Sequence, residues 1–201
     1  MMSLGWFISV SLFAVSMTGT PGPNNVILTA SGARYGYRRT LPAIFGILLG
    51  GLVLNMGLAL GLGALFQAFP LAHRVLQVVG ATYLLYLAGK IASAPPPGLS
   101  SNAEERPLTL WQMAFFQFAN PKVWVMGLTL VATFMPAHGV LWLNALGLAM
   151  LMEVIAFPCV SFWAAFGQAI ARWLVTDRAW RIFNVTMGLA TAACVGFIVV
   201  D

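Results

Sequence analysis

Two charged residues, Lys122 and Glu153, lie near the middle of long apolar stretches of this sequence. If those stretches cross a bilayer, an ion at that depth costs about 3 kcal/mol or more, so each residue needs a partner or a function. One interpretation is a structural ion pair. The other is that Lys122 binds the carboxylate of a substrate, while Glu153 binds the substrate amine or a coupling proton. Because desolvation disfavours a charged carboxylate, we predict that Glu153 is the proton-coupling residue.

Residues that break helices interrupt two of the apolar stretches. The first interruption is TPGPNN, from Thr20 to Asn25, and the second is Asn120-Pro121. Proline removes a backbone donor, and lipid tolerates a broken helix only where the break is buried or lines a cavity. Paired interruptions in corresponding spans are typical of the binding site of a transporter. The predicted substrate-binding residues are Pro21, Gly22, Pro23, Asn24, Asn25, Asn55, Gln117, Asn120, Pro121 and Lys122.

Most polar side chains near the two interruptions are carboxamides. A carboxamide donates to a carboxylate and accepts from an ammonium group. The half-helix that follows Pro23 also directs its N-terminal backbone donors toward the interruption, where an anionic group would bind. These groups together match a zwitterion such as an amino acid. A metal ion would require clustered His or carboxylate ligands, so we predict neither a metal site nor a cofactor.

The composition indicates an integral membrane protein. Of the 201 residues, 60% are hydrophobic and only 7% are charged. A soluble domain has roughly 25% charged residues, so this chain lacks the polar residues to cover a surface in water. The ten Lys and Arg residues outnumber the five Asp and Glu residues. The basic residues lie mainly at the ends of apolar stretches, so we interpret them as topology signals and not as a nucleic-acid-binding surface.

Six apolar stretches are long enough to cross a bilayer as helices, which takes about 20 residues each. They predict an all-α integral membrane fold with spans at about 4–33, 40–68, 72–92, 109–135, 139–170 and 180–200. Lys and Arg are concentrated in the connections between spans 1 and 2, 3 and 4, and 5 and 6, whereas the opposite face has Arg74 alone. These odd-numbered connections are therefore predicted to be cytoplasmic, with both termini outside in the periplasm.

The spans form two similar halves of three. Because each half has an odd number of spans, the second half must enter the membrane upside down. An offset of 98 residues places Gly22-Pro23 onto Asn120-Pro121 and Asn55 onto Glu153. We predict one transmembrane transporter domain, residues 1–201, built from inverted repeats at 1–92 and 109–201. A linker at 93–108 joins the repeats, and helices 1 and 4 are broken.

Two segments resemble a known family. MTGTPGPNNVILTASGARYGYRRTLPAIFGILLG, with its basic loop after span 1, is similar to the amino-terminal signature of the LysE/RhtB amino-acid exporters, and FFQFANPKVWVMGLTLVATFMP resembles their fourth span. GATYLLYLAGKIASAP and PLTLWQMAFFQFAN look closest to the cysteine and O-acetylserine branch. The resemblance implies proton-coupled export of small neutral amino acids, of the cysteine/O-acetylserine or threonine/homoserine type, across a bacterial inner membrane. It also implies that Glu153 takes the place of the family's acidic residue in span 5.

Other functions remain open from the sequence. One is export of a metal or another small ion, and a second is a non-transporting scaffold in the membrane. A third is a membrane thiol–disulfide electron carrier, which would use Cys159 and Cys194. No nucleophile, base and orienting residue fall together, so we do not expect an enzyme. The expected partners are an amino-acid substrate and the lipid bilayer, with a homo-oligomer possible and no nucleic acid.

Overall fold

The computed structural model describes residues 3–63, 68–95 and 106–195, and within these ranges the chain is helical without strands. The predicted all-helical class is confirmed. The described helices are α1 (Leu4–Gly19), α2 (Pro23–Tyr35), α3 (Tyr37–Ala59), α4 (Pro70–Ala92), α5 (Leu110–Ala119), α6 (Pro121–Phe134), α7 (Leu141–Ala171) and α8 (Asp177–Ala193).

Local sequence signals explain where most of these helices begin. Ser3 caps α1 by accepting from the backbone of Trp6, and Thr176 caps α8 in the same way. Thr109 and Gln112 form a capping box at the start of α5. Proline is the first residue of α2, α4 and α6, where its missing N–H would have no helical partner.

Three described helices are long and apolar enough to cross a membrane: α3, the Arg74–Ala92 part of α4, and α7. The pair α1 and α2, bent by 60° at the first interruption, adds a fourth. Helix α6 is apolar but has 14 residues. The count of six spans therefore stays a prediction. Residues 196–201, where the last span was predicted to end, and 96–105 of the linker lie outside the described residues.

One predicted connection and one predicted span differ from the structure. Gly36 alone separates α2 from α3, so Arg34, Arg38 and Arg39 belong to helices and not to a loop. Gly36 has a φ of +80°, a left-handed conformation that glycine adopts without steric cost and that reverses the chain within one residue. The span predicted at 40–68 is also interrupted, because α3 ends at Ala59 and a turn with Gly61 at φ +108° follows.

Small residues bring the central helices into close contact. A Cβ added to Gly32 of α2 would overlap the carbonyl group of Ala164 in α7. Gly46 and Gly50 lie equally close to the backbone of α5, so their GxxxG spacing serves packing inside the bundle. Helices α2 and α3 therefore pack directly on α7 and α5, which places the two interruptions within one bundle.

Candidate functional site

A cavity of about 40 Å³ lies where the two interruptions meet. It has room for only a few water molecules. Eight of the predicted site residues line it: Gly22, Pro23, Asn24, Asn25, Gln117, Asn120, Lys122 and Glu153. Thr18 and Gly51, which were not predicted, also line it. The structure therefore brings together residues from both halves of the chain.

The first helix break lies between α1, which ends at Gly19, and α2, which begins at Pro23. Side chains from three helices bind its backbone carbonyls. Asn25 Nδ2 of α2 donates to the carbonyls of Thr18 and Thr20, at 2.8 Å each. Trp163 Nε1 of α7 donates to the carbonyl of Gly19 at 3.1 Å. The carbonyls that α1 leaves without helical partners are thus satisfied by side chains.

Lys122 also binds this first break. Its Nζ donates to the carbonyl oxygen and to Oγ1 of Thr20, both at 2.9 Å, and to the carbonyl oxygen of Pro21 at 3.3 Å. A Cβ added to Gly22 would lie 3.1 Å from Lys122 Nζ and 2.9 Å from Cδ, so glycine leaves room for this side chain. The ammonium group therefore binds the electronegative C-terminal end of α1.

The second helix break is the single residue Asn120, between α5 and α6. Asn120 caps α6, because its Oδ1 accepts from the backbone N–H of Lys122 at 3.2 Å. Trp124 Nε1 donates to the carbonyl oxygen of Phe118 at 2.7 Å. Both contacts come from the first turns of the helix that follows the break.

A cluster of three carboxamides joins the two breaks. Asn24 Nδ2 donates to Gln117 Oε1 at 2.8 Å, and Gln117 Nε2 donates back to Asn24 Oδ1 at 3.3 Å. Asn120 Nδ2 donates to the same Asn24 oxygen, also at 3.3 Å. Gln117 and Asn120 are each 1% exposed, so their amides sit inside the protein. This amide cluster fixes the N-terminus of α2 against the second break.

Lys122 and Glu153 form no salt bridge in the observed conformation, where each has other partners. The polar contacts of Lys122 Nζ are those to Thr20 and Pro21. Glu153 Oε1 accepts instead from Asn55 Nδ2 at 3.2 Å. Asn55 is 1% exposed, and its Oδ1 is one of the two buried side-chain atoms without a partner among the described residues.

Two glycines give this Asn55–Glu153 pair its space. A Cβ added to Gly51 would lie 2.5 Å from Glu153 Oε1, and one added to Gly127 would lie 2.6 Å from Asn55 Oδ1. Any larger residue at either position would displace the pair. Asn55 itself does not line the small cavity, but it contacts the carboxylate that does.

Pro21 and Pro121 also lie outside the small cavity. With Lys122 they line a larger groove of about 690 Å³ between the first break, α6 and α8. Cys194 lies on this groove, and both Cys194 and Cys159 are free thiols. The described residues contain no group of three or more His, Cys, Asp or Glu side chains that could hold a metal ion.

Two further residues that bind the breaks, Trp124 and Trp163, were not predicted from the sequence. Their positions within the predicted spans could have identified them. The other five tryptophans of the chain lie near the ends of predicted spans, as interfacial anchors do, whereas these two lie well inside predicted spans. A buried indole N–H needs an acceptor, and the carbonyls of a broken helix provide one.

Comparison with known proteins identifies the family. A family model described as LysE type translocator matches residues 15–199. The chain belongs to the LysE family. Among its relatives is the cysteine/O-acetylserine efflux protein of Salmonella typhimurium strain LT2, 31% identical over 87% of this chain and 88% of the relative. The cysteine/O-acetylserine efflux protein of Escherichia coli K12 is 29% identical over the same shares of the two chains. No solved structure matches the LysE-family chain significantly.

Proposed function

We propose that this LysE-family protein exports small neutral amino acids, of the cysteine and O-acetylserine type, across the bacterial inner membrane in exchange for protons. Its Salmonella and Escherichia relatives are cysteine/O-acetylserine efflux proteins. The observation in this chain that carries the proposal is the amide cluster of Asn24, Gln117 and Asn120. This cluster joins the two helix breaks. It lines one cavity together with the ammonium group of Lys122 and the carboxylate group of Glu153.

The cavity has groups for both ends of an amino acid. The first-turn N–H groups of α2 have no carbonyl of their own helix to bind, and they face the break together with Lys122 Nζ. We assign the substrate carboxylate to these donors. In the observed conformation Lys122 donates to Thr20 and Pro21, so the substrate carboxylate would replace one of these carbonyls as an acceptor. The substrate ammonium would bind Glu153 and the oxygens of the amide cluster.

Proton coupling is assigned to Glu153 because of its contact with Asn55. A carboxylate accepts hydrogen bonds only, whereas a carboxylic acid also donates one. The amide of Asn55 serves both forms, since its Nδ2 donates to the charged form and its Oδ1, after rotation of the amide, accepts from the neutral form. The unpartnered Oδ1 is the acceptor that a proton on Glu153 would satisfy.

The predicted inverted repeat, if both halves follow it, would allow alternating access around this cavity. Asn55 and Glu153 are related by the repeat offset of 98 residues, and they hydrogen-bond to each other. Two positions related by a two-fold axis contact each other only when they lie near that axis. A tilt of one repeat against the other would open the small cavity and leave this pair near the pivot.

The test is efflux of labelled cysteine, O-acetylserine, threonine, homoserine and lysine from preloaded cells. We expect the wild type to accelerate the efflux of cysteine or O-acetylserine. Glu153→Gln and Lys122→Met should each lower that efflux on the order of tenfold or more, because each removes a charged hydrogen-bonding group from the site. In proteoliposomes, an imposed proton gradient should stimulate wild-type transport and leave the Glu153→Gln variant unaffected.

Two exposed residues supply matched controls at equal membrane abundance. Asp177→Asn repeats the change from carboxylate to amide at the start of α8, and Arg178→Met removes a cation there. Both should transport as the wild type does. If none of the five amino acids leaves the cell faster with the wild-type protein present, the proposed substrate class is wrong. If Glu153→Gln still responds to the proton gradient, another group carries the proton.

A further inference from the structure

A second cavity, of about 80 Å³, lies at the other end of α2 from the amide cluster. Three basic residues line it: Arg34 in the last turn of α2, Lys90 in the last turn of α4, and Arg106 before α5. Arg34 follows Pro23 by three turns of helix, or about 16 Å along α2. The two cavities are therefore separate sites, and this one lies on the face predicted to be cytoplasmic.

The second cavity combines exposed cations with a buried apolar wall. Lys90 and Arg106 are exposed and Arg34 is half-buried, whereas Ile27 and Leu87 are 1% and 2% exposed. The only carboxamide on the lining, Asn184, is 5% exposed and donates to the carbonyl of Ala94 at 2.8 Å. A ligand that fits such a cavity has an anionic group beside an apolar group.

Basic residues at the cytoplasmic ends of spans also act simply as topology signals, and this chain has residues of that kind. Arg38 and Arg39 lie at the start of α3, on the same predicted face, and both are exposed. Neither lines the second cavity. Arg34, Lys90 and Arg106 differ from such topology signals, because they come from three parts of the chain and line one cavity.

We propose that this cavity binds the phosphate-bearing headgroup of an anionic phospholipid. Guanidinium and ammonium groups bind phosphate oxygens with charge-assisted hydrogen bonds, and basic pockets between membrane helices on the cytoplasmic side hold such headgroups. The apolar wall formed by Ile27, Leu87, Ile91 and Leu108 provides a surface for the start of an acyl chain. The bound lipid would bridge α2, α4 and the segment that leads into the second half of the chain.

The proposal can be tested with the full-length protein in detergent, by native mass spectrometry during titration with phosphatidylglycerol. The test variant is Lys90→Gln/Arg106→Gln, since both side chains are exposed and their loss leaves the core intact. Arg34 stays unchanged because it donates to the carbonyl of Pro95. The matched control is Arg38→Gln/Arg39→Gln, which removes the same charge from the same face.

We expect the Lys90→Gln/Arg106→Gln variant to bind phosphatidylglycerol on the order of tenfold more weakly, and the control to bind within about twofold of the wild type. Phosphatidylethanolamine, which carries no net charge, should bind weakly to all three proteins. Equal losses in the two double variants would overturn the proposal in favour of diffuse attraction to the basic face. Displacement of the lipid by an equal concentration of inorganic phosphate would overturn it in favour of a free-anion site.

Discussion

The two helix breaks lie on the same cavity, but different kinds of contact hold them. The first break spans three residues, and its carbonyls bind side chains from α2, α6 and α7. The second break is one residue, Asn120. Its backbone contacts come from the start of α6, the next helix in the chain, and its one bond to the first half, among the described residues, is from Asn120 Nδ2 to Asn24 Oδ1. The first break therefore depends on tertiary packing, whereas the second is largely local structure.

This difference shows which break is suited to move. Lys122 and Trp163, which bind the first break, belong to the second half of the chain. Any tilt of one half against the other must exchange or lengthen these hydrogen bonds. Asn120 and Trp124 keep their backbone partners during the same tilt, because donor and acceptor lie within a few residues of each other. We expect the first break to be the mobile one.

The largest expected effect on stability comes from Asn25→Ala at the first break. Asn25 is 3% exposed and donates to two carbonyls, so its loss leaves both without this donor. The Thr20 carbonyl keeps Lys122 Nζ as a donor, so the main cost is at the Thr18 carbonyl. An acceptor left unsatisfied costs about 1–3 kcal/mol, and we expect a loss of that size. The measurement is the thermal unfolding midpoint in detergent.

Asn24→Ala is the comparison for this variant, since the neighbouring residue is half-buried and its partners are side chains. It should unfold at a temperature nearer to that of the wild type and still lose efflux. If Asn25→Ala unfolds at the wild-type temperature, the two hydrogen bonds of Asn25 do not stabilise the first break.

An intermediate effect is expected for the two tryptophans. Trp163→Phe and Trp124→Phe each remove one hydrogen bond to a break, worth about 1 kcal/mol, and keep an aromatic ring. Only Trp163→Phe should loosen the first break. The measurement is the rate at which a maleimide reacts with a cysteine introduced by Thr18→Cys, in a protein whose own cysteines are replaced by Ala. Thr18 is half-buried and lines the small cavity, so its reactivity depends on opening of the break.

We expect several-fold faster modification with Trp163→Phe than with Trp124→Phe, because about 1 kcal/mol corresponds to roughly fivefold in an opening equilibrium. The Thr18→Cys protein with both tryptophans intact sets the reference rate. Equal rates in the two tryptophan variants would mean that both breaks move together.

The smallest effect is expected for the prolines that begin α2 and α6. Pro23 and Pro121 occupy the first helical position, where an N–H group has no helical partner in any case. Pro23→Ala and Pro121→Ala should each change the free energy of unfolding by less than about 1 kcal/mol and leave both breaks in place. A gain of helical circular dichroism in either variant would show that proline itself breaks the helix.

The sequence predicted the breaks well because their residue types are rare in apolar stretches. Asn24, Gln117 and Asn120 were predicted from composition and spacing, and the structure brings them together. Proline alone would have been misleading. Pro42 and Pro158 lie inside α3 and α7 without ending those helices. At the true breaks, Gly22 or Asn120 precedes the proline in an extended conformation, and side-chain partners satisfy the carbonyls that are freed.

The contacts of Lys122 could not be predicted in the same way. Its acceptors are backbone carbonyls, which every residue has, so no residue type marks them in the sequence. Glu153 lies in the next predicted span with the opposite charge, so it was the expected partner of Lys122. A similar depth in the membrane does not determine which side chains face each other. The length of the connection at Gly36 was predicted wrongly for a related reason. Basic residues at the ends of two helices give the same sequence pattern as basic residues in a loop, so the pattern did not show that Gly36 alone connects α2 and α3.

The link at Gly36 has a mechanical consequence. One residue spans at most about 3.6 Å, so the ends of α2 and α3 cannot separate, and the connection has no slack to absorb a rotation. The backbone N–H of Tyr37, at this corner, also donates to Gln168 Oε1 of α7 at 2.5 Å. We therefore expect a displacement of α2 to move the start of α3 with it.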